Sequence, residues 1–406
     1  MEEHPRKHIL AYTSLGHFVN DGNNFFLPVI AAILTAQRGY SAIEIVATFS
    51  VFYASVSLMS PYVGRLADVT GKPEMLLSVG SVIMGLGLVG FYFVLAGLGG
   101  TGGFALTLVS AFLMGFGGAF YHPLGATILQ KNWGPDGLGM ALGINGAMGS
   151  LGRAVYPLIY YFAALFLLSG SYLLAFAAIS FASGLVILEA ARYVRGRQAM
   201  RSPAAPKAAR EALTRGIMLL TVLTLVRFLA TQGIIAWLPT YMLISHSVPD
   251  ASVLGLYVTL IYAGGIFGQP FFGYLTRTMD SRWLFGGSTG ATMLVVLAYL
   301  LIPGPFGLVA LFLIGFFAFS AFPMLMILSK GYVDESSSSF ANSLVFGLGS
   351  GAGNTLGPLI VGLFAAGSYG YLDLGFYGMI VVGIASAASM ALLPPAGRGA
   401  KAPLFH

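Results

Sequence analysis

The sequence predicts an all-α membrane protein with twelve transmembrane helices in two six-helix halves. Three observations predict it. The composition is nearly free of charge, twelve apolar segments are separated by short polar turns, and the second half repeats the pattern of the first.

The composition sets the class. Of 406 residues, 57% are hydrophobic and 8% charged, with a mean hydropathy of +0.84. Soluble domains carry about 25% charged residues. Glycine accounts for 55 positions, about twice its ordinary share of ~7%. Membrane helices use small residues in this way, because their backbones must approach closely without a hydrophobic effect to drive them. The absence of cysteine removes disulfide and thiol chemistry. No cleavable leader is expected, since the first apolar run is too long and too polar at its centre.

A bilayer is crossed by about 20 mostly apolar residues. Apolar segments occur near residues 9–36, 43–64, 75–98, 104–130, 137–166, 172–191, 216–244, 252–275, 283–302, 306–329, 340–367 and 374–394. The first is interrupted at its centre by HFVNDGNN, residues 17–24. The second runs into a turn marked by Gly71 and Pro73, and the third is uninterrupted. The fourth contains GFGGAFYHP, and the fifth carries Arg153 four residues before Pro157. The sixth ends in a basic stretch. The seventh holds Arg227, Gln232 and Pro239, and the eighth Gln269. The tenth repeats the fourth as GFFAFSAFP. The eleventh carries Asn354 and the series Gly347, Gly349, Gly351, Gly353 and Gly357, expected to be a helix-packing surface.

Charge gives the orientation. Of 20 Lys and Arg residues, Arg153 and Arg227 lie inside spans and Arg38 in the first loop; the other 17 lie at the termini and in the even-numbered loops. By the positive-inside rule these regions face the cytoplasm, in a plasma (bacterial inner) membrane. The stretch from Arg192 to Arg215 holds seven basic residues and one acid, Glu211. It reads as a cytoplasmic linker between the halves, with lipid binding as the rival reading.

The halves repeat. Pro28 and Pro239 are 211 apart, as are Gly22 and Gly233; Gly64 and Gly273 are 209 apart. Gly115–Pro123 matches Gly315–Pro323 at an offset of 200, and Pro157 matches Pro358 at 201. The expected division is a six-helix bundle over 1–193, a linker over 194–214 and a second bundle over 215–406. A parallel repeat of this kind places substrate near the midplane between the halves and works by rocking one against the other.

The turn after the second span reads Gly64-Arg-Leu-Ala-Asp68-Val-Thr-Gly71-Lys72-Pro. It resembles the signature loop of the major facilitator superfamily, and Gly273 to Asp280 resembles a worn copy. The resemblance implies that Gly64, Asp68, Gly71 and Lys72 form a cytoplasmic conformational latch, and that the chain is a monomer. HxxND in the first span (His17, Asn20, Asp21) and YHP in the fourth (Tyr121, His122, Pro123) resemble the fosmidomycin-resistance branch of bacterial drug-efflux carriers. Related carriers often have an acid after the His-Pro, where this chain has Leu124. That departure implies an altered substrate set or proton route.

At about 100° per residue, His17, Asn20, Asp21 and Asn24 share one face of the first helix. A charge at the bilayer centre costs about 2.5–3.5 kcal/mol, so that face looks into protein or a wet cavity. Of 14 acids, only Asp21 is expected near the midplane. The bases there are Arg153 and Arg227, and the histidines His17 and His122. One acid and two arginines leave a positive charge for a substrate anion, which Arg grips through its planar fork. The expected substrate-binding set is His17, Asn20, Asn24, Tyr121, His122, Arg153, Tyr156, Arg227, Gln232, Gln269 and Asn354. Tyr156 and Tyr160 share a face with Arg153. Asp21 is the expected proton carrier, with His17 or His122 as relay. Each has a structural rival: an ion pair that fixes packing for Asp21 and Arg153, hydrogen bonds between helices for Gln269 and Asn354. Arg227 lies about 140° around its helix from Gln232, so both cannot face one cavity squarely.

The expected function is secondary active transport, as proton-coupled efflux of a small organic anion or anionic drug. Proton-coupled uptake of an organic acid is the alternative within that class, and a passive channel the alternative outside it. The two-fold duplication suits alternating access better than a pore. There is no paired-carboxylate motif and no metal-ligand spacing, so no enzyme, metal or cofactor is expected. No GxxxxGK[ST] occurs, which argues against ATP drive. Partners are the substrate, protons and the lipid bilayer, and not nucleic acid.

Overall fold

A computed structural model of the chain describes residues 3–133, 135–166, 170–195, 213–245, 248–302, 306–333 and 341–395. Most of the basic linker, 196–212, lies outside the described residues. The described residues form helices and turns, with no β-strand. Among the described residues, ten helical runs are long and apolar enough to cross a membrane. Two more helices, of 36 and 32 residues, are not among the ten, and they carry HFVNDGNN and Arg153.

Contacts divide the chain into two units: Met1–Arg201 with Met242–Thr259, and Ser202–Tyr241 with Leu260–His406. The first holds α1 (Glu3–Arg38), α2 (Ala42–Thr70), α3 (Pro73–Ala96), α4 (Gly100–Gly118), α5 (Tyr121–Asn132), α6 (Pro135–Phe166) and α7 (Tyr172–Arg195). Its punctuation follows from local chemistry. Ser41 caps α2 in a reciprocal box with Glu44, which satisfies amides that have no partner in the first turn. Gly71 ends α2 in the left-handed region at φ 63°, where a Cβ would be strained. Pro73 then opens α3 at its first position, where the missing N–H costs nothing.

The fourth rod is broken. α4 stops at Gly118 and α5 starts at Tyr121. Pro123 cannot donate to the Ala119 carbonyl four residues back, and that oxygen accepts instead from Ser60 Oγ at 3.4 Å. Within this unit α1 packs along α6, and α3 packs on α4 and α7. The start of α9 (Ala251–Leu275) belongs here too: Tyr160 Oη donates to the Ala251 carbonyl at 2.6 Å and Thr259 Oγ1 to that of Ala154 at 3.2 Å.

The second unit holds α8 (Arg215–Ile244) as far as Tyr241, the rest of α9, α10 (Ser281–Leu301), α11 (Phe306–Ala318), α12 (Ala321–Tyr332), a π-helical turn (Ser343–Ser350), α13 (Gly351–Phe364) and α14 (Leu372–Ser389). Its core centres on Leu220, Phe285, Met324, Tyr332 and Val345. The break between α11 and α12 repeats that between α4 and α5. Three of the five serial glycines pack as expected. A Cβ at Gly349, Gly353 or Gly357 would meet the Thr221, Leu225 and Leu229 carbonyls of α8, whereas one at Gly347 would meet nothing within 4 Å.

Candidate functional site

The site is built on α1. Asp21 is buried, with its carboxylate 3% exposed, and its two oxygens are served from three helices. Arg153 Nε of α6 lies 3.3 Å from Oδ2. His17 Nε2, one turn back on α1, lies 3.4 Å from the same oxygen. His122 Nε2 of α5 lies 3.5 Å from Oδ1, and Asn20 Nδ2 donates to Oδ1 at 3.1 Å. Arg153 also donates to Ser150 Oγ at 3.3 Å and lies over the Phe25 ring, 4.8 Å from its centroid.

The histidine ring has a fixed orientation. His17 Nδ1 lies 2.8 Å from the main-chain carbonyl of Asn145 and 3.0 Å from its Oδ1. A carbonyl can only accept, so Nδ1 carries a hydrogen. Neutral His17 then turns the lone pair of Nε2 toward Asp21. Two lone pairs at 3.4 Å repel, so a proton between them, on either partner, makes the contact attractive. Tyr121 stacks on His17 with centroids 4.5 Å apart and donates to Asn145 Oδ1 at 2.8 Å. On the far side Gly149 of α6 leaves room for the ring, since a Cβ there would collide with the imidazole. The His122 side chain is 58% exposed and opens the cluster to its surroundings.

The structure thus brings His17, Asn20, Asp21, Tyr121, His122 and Arg153 together. Asn24 lies farther along α1 against Gly118, where a Cβ would come 2.6 Å from its Oδ1. Tyr156 faces elsewhere: its ring is fully buried, fills the space beside Gly22 and stacks on Phe176 at 4.5 Å.

Arg227 belongs to the second unit and is fully buried there. Its Nη1 donates to the Phe285 carbonyl (2.8 Å), Ser288 Oγ (2.9 Å) and Thr289 Oγ1. Its Nη2 donates to the Phe317 and Ala318 carbonyls, each at 3.2 Å. Those two carbonyls are the last of α11, exposed by the break, and a cation at a helix C-terminus is favourable. The sequence placed Arg227 in the expected substrate-binding set. In the structure neutral oxygens occupy both of its terminal nitrogens, and it ties α8 to α10 and α11. Gln232 is buried in α8, and Gln269 is half-buried in α9. Asn354 in α13 keeps a buried Oδ1 with no hydrogen-bond partner among the described residues.

The turn between α2 and α3 places Asp68 in the last turn of α2, Gly71 at its C-cap and Lys72 before Pro73. Gly64 is not forced by packing in its own unit, since the nearest atom to a Cβ there is Pro123 Cβ at 4.0 Å. In the second unit, Asp280 caps α10 by accepting from the Arg282 amide at 2.9 Å and pairs with Arg282 Nη2 at 2.6 Å. That pairing holds its carboxyl below the usual carboxylate range.

A family profile described as Major Facilitator Superfamily matches residues 13–346 and 244–405, which together take in nearly the whole chain. The chain belongs to the major facilitator superfamily. Its members are multi-pass membrane transporters that bind small molecules and work by alternating access. No curated protein sequence matches the chain. Among solved structures, it is similar to a bacterial homologue of the human lysosomal transporter Spinster. The inward-facing, unoccupied form aligns at a TM-score of 0.71 and 16% identity, over 97% of this chain and 96% of that one. It is also similar to the nucleoside transporter NupG, at a TM-score of 0.73 and 13% identity, over 95% and 99% of the two chains. At such identities the likeness speaks for the fold alone.

Two residues of this transporter's polar cluster escaped the sequence reading. Asn145 and Gly149 lie on α6, far along the chain from the His17 they position. The only signal for them was the small-polar run INGAMGS, which reads equally well as helix packing.

Proposed function

We propose that the chain is a secondary active transporter of a small organic anion, with proton binding at Asp21 coupled to substrate binding at Arg153. One observation carries the reading: the Asp21 carboxylate touches Arg153 and two histidines at once. A substrate carboxylate, phosphonate or phosphate that takes Arg153 removes the guanidinium from Asp21. Asp21 then gains from accepting a proton, and His17 Nε2 is oriented to deliver it. His122, Tyr121 and Asn20 complete the proposed contact set, with Asn24, Gln232, Gln269 and Asn354 as further polar positions. Arg227 and Tyr156 are left as internal supports.

The resemblance of His17-x-x-Asn20-Asp21 and Tyr121-His122-Pro123 to the fosmidomycin-resistance branch supports efflux of an anionic drug. The Arg153–Asp21 contact supports a second reading, uptake of an organic acid together with a proton. Protonating Asp21 releases Arg153 to the anion, and linkage makes that favour reciprocal. Anion efflux would instead draw on the membrane potential, worth about 2.3 kcal/mol per charge per 100 mV. We further propose twelve crossings with both termini cytoplasmic in the bacterial inner membrane, the halves meeting at the 194–214 linker, a monomer, and a latch at Gly64, Asp68, Gly71 and Lys72. Proteoliposomes given a pH gradient, with and without a clamped potential, test the coupling. Organic-anion accumulation that answers to neither gradient would overturn it.

A further inference from the structure

The geometry points to a divalent transition-metal site at His17, Asp21 and His122. One ligand atom from each of these residues lies within 4.8 Å of the others, and no other such trio of His, Asp or Glu occurs among the described residues. Each imidazole already stands at ligand spacing from one oxygen of the Asp21 carboxylate: His17 Nε2 is 3.4 Å from Oδ2 and His122 Nε2 is 3.5 Å from Oδ1. Ligands about 2.0–2.1 Å from a tetrahedral ion stand about 3.3 Å apart. The remaining separations, all within 4.8 Å, close by movement of His122, whose side chain is 58% exposed.

The surroundings have the form of a ligating site. Nδ1–H of His17 is fixed by the Asn145 carbonyl at 2.8 Å. An outer-shell acceptor of this kind orients a ligating imidazole and raises its basicity. Two imidazoles and one carboxylate select zinc, nickel, cobalt or copper over calcium or magnesium, which require oxygen cages. A fourth position stays open to water or to an anionic ligand. The exposed His122 gives the ion a way in.

Arg153 opposes the ion, since its Nε lies 3.3 Å from the same carboxylate. The site is therefore reversible rather than a permanent structural centre. On the transport reading proposed above, which this consequence alone rests on, an ion bound to Asp21 blocks proton-driven turnover.

The test is a titration of the purified, tag-free, full-length protein in nanodiscs. His4, His8, His246 and His406 are first replaced by alanine to remove competing imidazoles. Co2+ reports its ligands by visible absorption, and Zn2+ is followed by calorimetry. The expected result is one ion per chain. His122→Ala should weaken binding at least about tenfold, as should His17→Ala. His122 is exposed, so its replacement tests the site even if His17→Ala fails to fold. Arg153→Gln should tighten binding several-fold, the opposite of its effect on an anion. Unchanged affinity in His122→Ala, weaker binding in Arg153→Gln, or no absorption change with Co2+ in excess would each overturn the site. The titration involves no transport, so its failure leaves the transport reading intact, and a failed transport assay leaves the site standing.

Discussion

The main-chain carbonyl of Asn145 lies 2.8 Å from Nδ1 of His17 and decides which ring nitrogen His17 offers to Asp21. A peptide oxygen cannot change its role as an acceptor. The contact between His17 Nε2 and Asp21 is thus oriented from one side, and loss of the Asp21 carboxylate should be felt in coupling before it is felt in binding.

Asp21→Asn should abolish the response to an imposed pH gradient while leaving substrate counterflow measurable. Asparagine keeps the size of the side chain and loses the titratable oxygen. Proteoliposomes carrying the two proteins side by side check this. Equal concentration of substrate by both would move the coupling role to a histidine.

Arg153→Ala should weaken anionic substrates at least about tenfold, and Arg153→Lys should recover little, because Lys lacks the planar fork. Removing one partner of a buried ion pair costs up to about 3–5 kcal/mol, and His17, His122 and Asn20 remain on the Asp21 carboxylate to reduce that loss. Thermal unfolding of the variant should therefore fall, and adding Asp21→Asn should restore much of it. If the double variant is no more stable than Arg153→Ala alone, the pair is not the source of the loss.

Gly149→Ala places a methyl where the His17 imidazole stands. Overpacking of this kind costs about 1–3 kcal/mol. We expect a folded protein whose proton-driven transport drops while substrate binding changes less. Wild-type pH dependence of transport in this variant would show that the ring position is not critical.

Arg227→Met should destabilise the protein by at least about 2 kcal/mol, since it strips donors from buried oxygens of α10 and α11. Substrate affinity of the molecules that remain folded should stay near wild type. Loss of affinity with unaltered melting would return Arg227 to the binding site.

Asp280 gives a pH signature away from the cluster. Its folded pKa is depressed by Arg282, so its stabilisation is present above the unfolded value of about 3.9 and is lost as pH falls through the folded value. The side chain is 40% exposed, so the pair is worth no more than about 1 kcal/mol. Asp280→Asn keeps a good helix cap. Its melting temperature should lie slightly below wild type at neutral pH, and the gap should close on acidification below about pH 4. A gap that widens there would contradict the assignment.

Much of this fold is legible in the sequence because membrane helices obey local rules. Apolar length, the Gly71–Pro73 turn and the paired proline motifs all act within a few residues, and the helices sit where those signals put them. The face of α1 was legible for the same reason, as was its need for partners. What periodicity cannot carry is the choice among partners. Arg153 and Arg227 look alike as single buried cations in apolar spans, yet one meets a carboxylate and the other the open end of a broken helix. Nothing local distinguishes them. The contact between His17 and Asn145 spans 128 positions, and the trio with His122 exists only once α5 has folded back on α1.

That separation has a consequence for how the protein is made. α1 leaves the ribosome well before α6, so Asp21 reaches the membrane with Arg153 and Asn145 still unsynthesised. A lone carboxylate at the centre of a helix raises the cost of insertion by about 2.5–3.5 kcal/mol. α1 should therefore stay beside the insertion machinery, or stay protonated at Asp21, until α6 arrives. On this account the cluster acts as a checkpoint during biogenesis. Chains arrested between α5 and α6 should remain crosslinkable to the translocon through α1, and release should follow when α6 emerges.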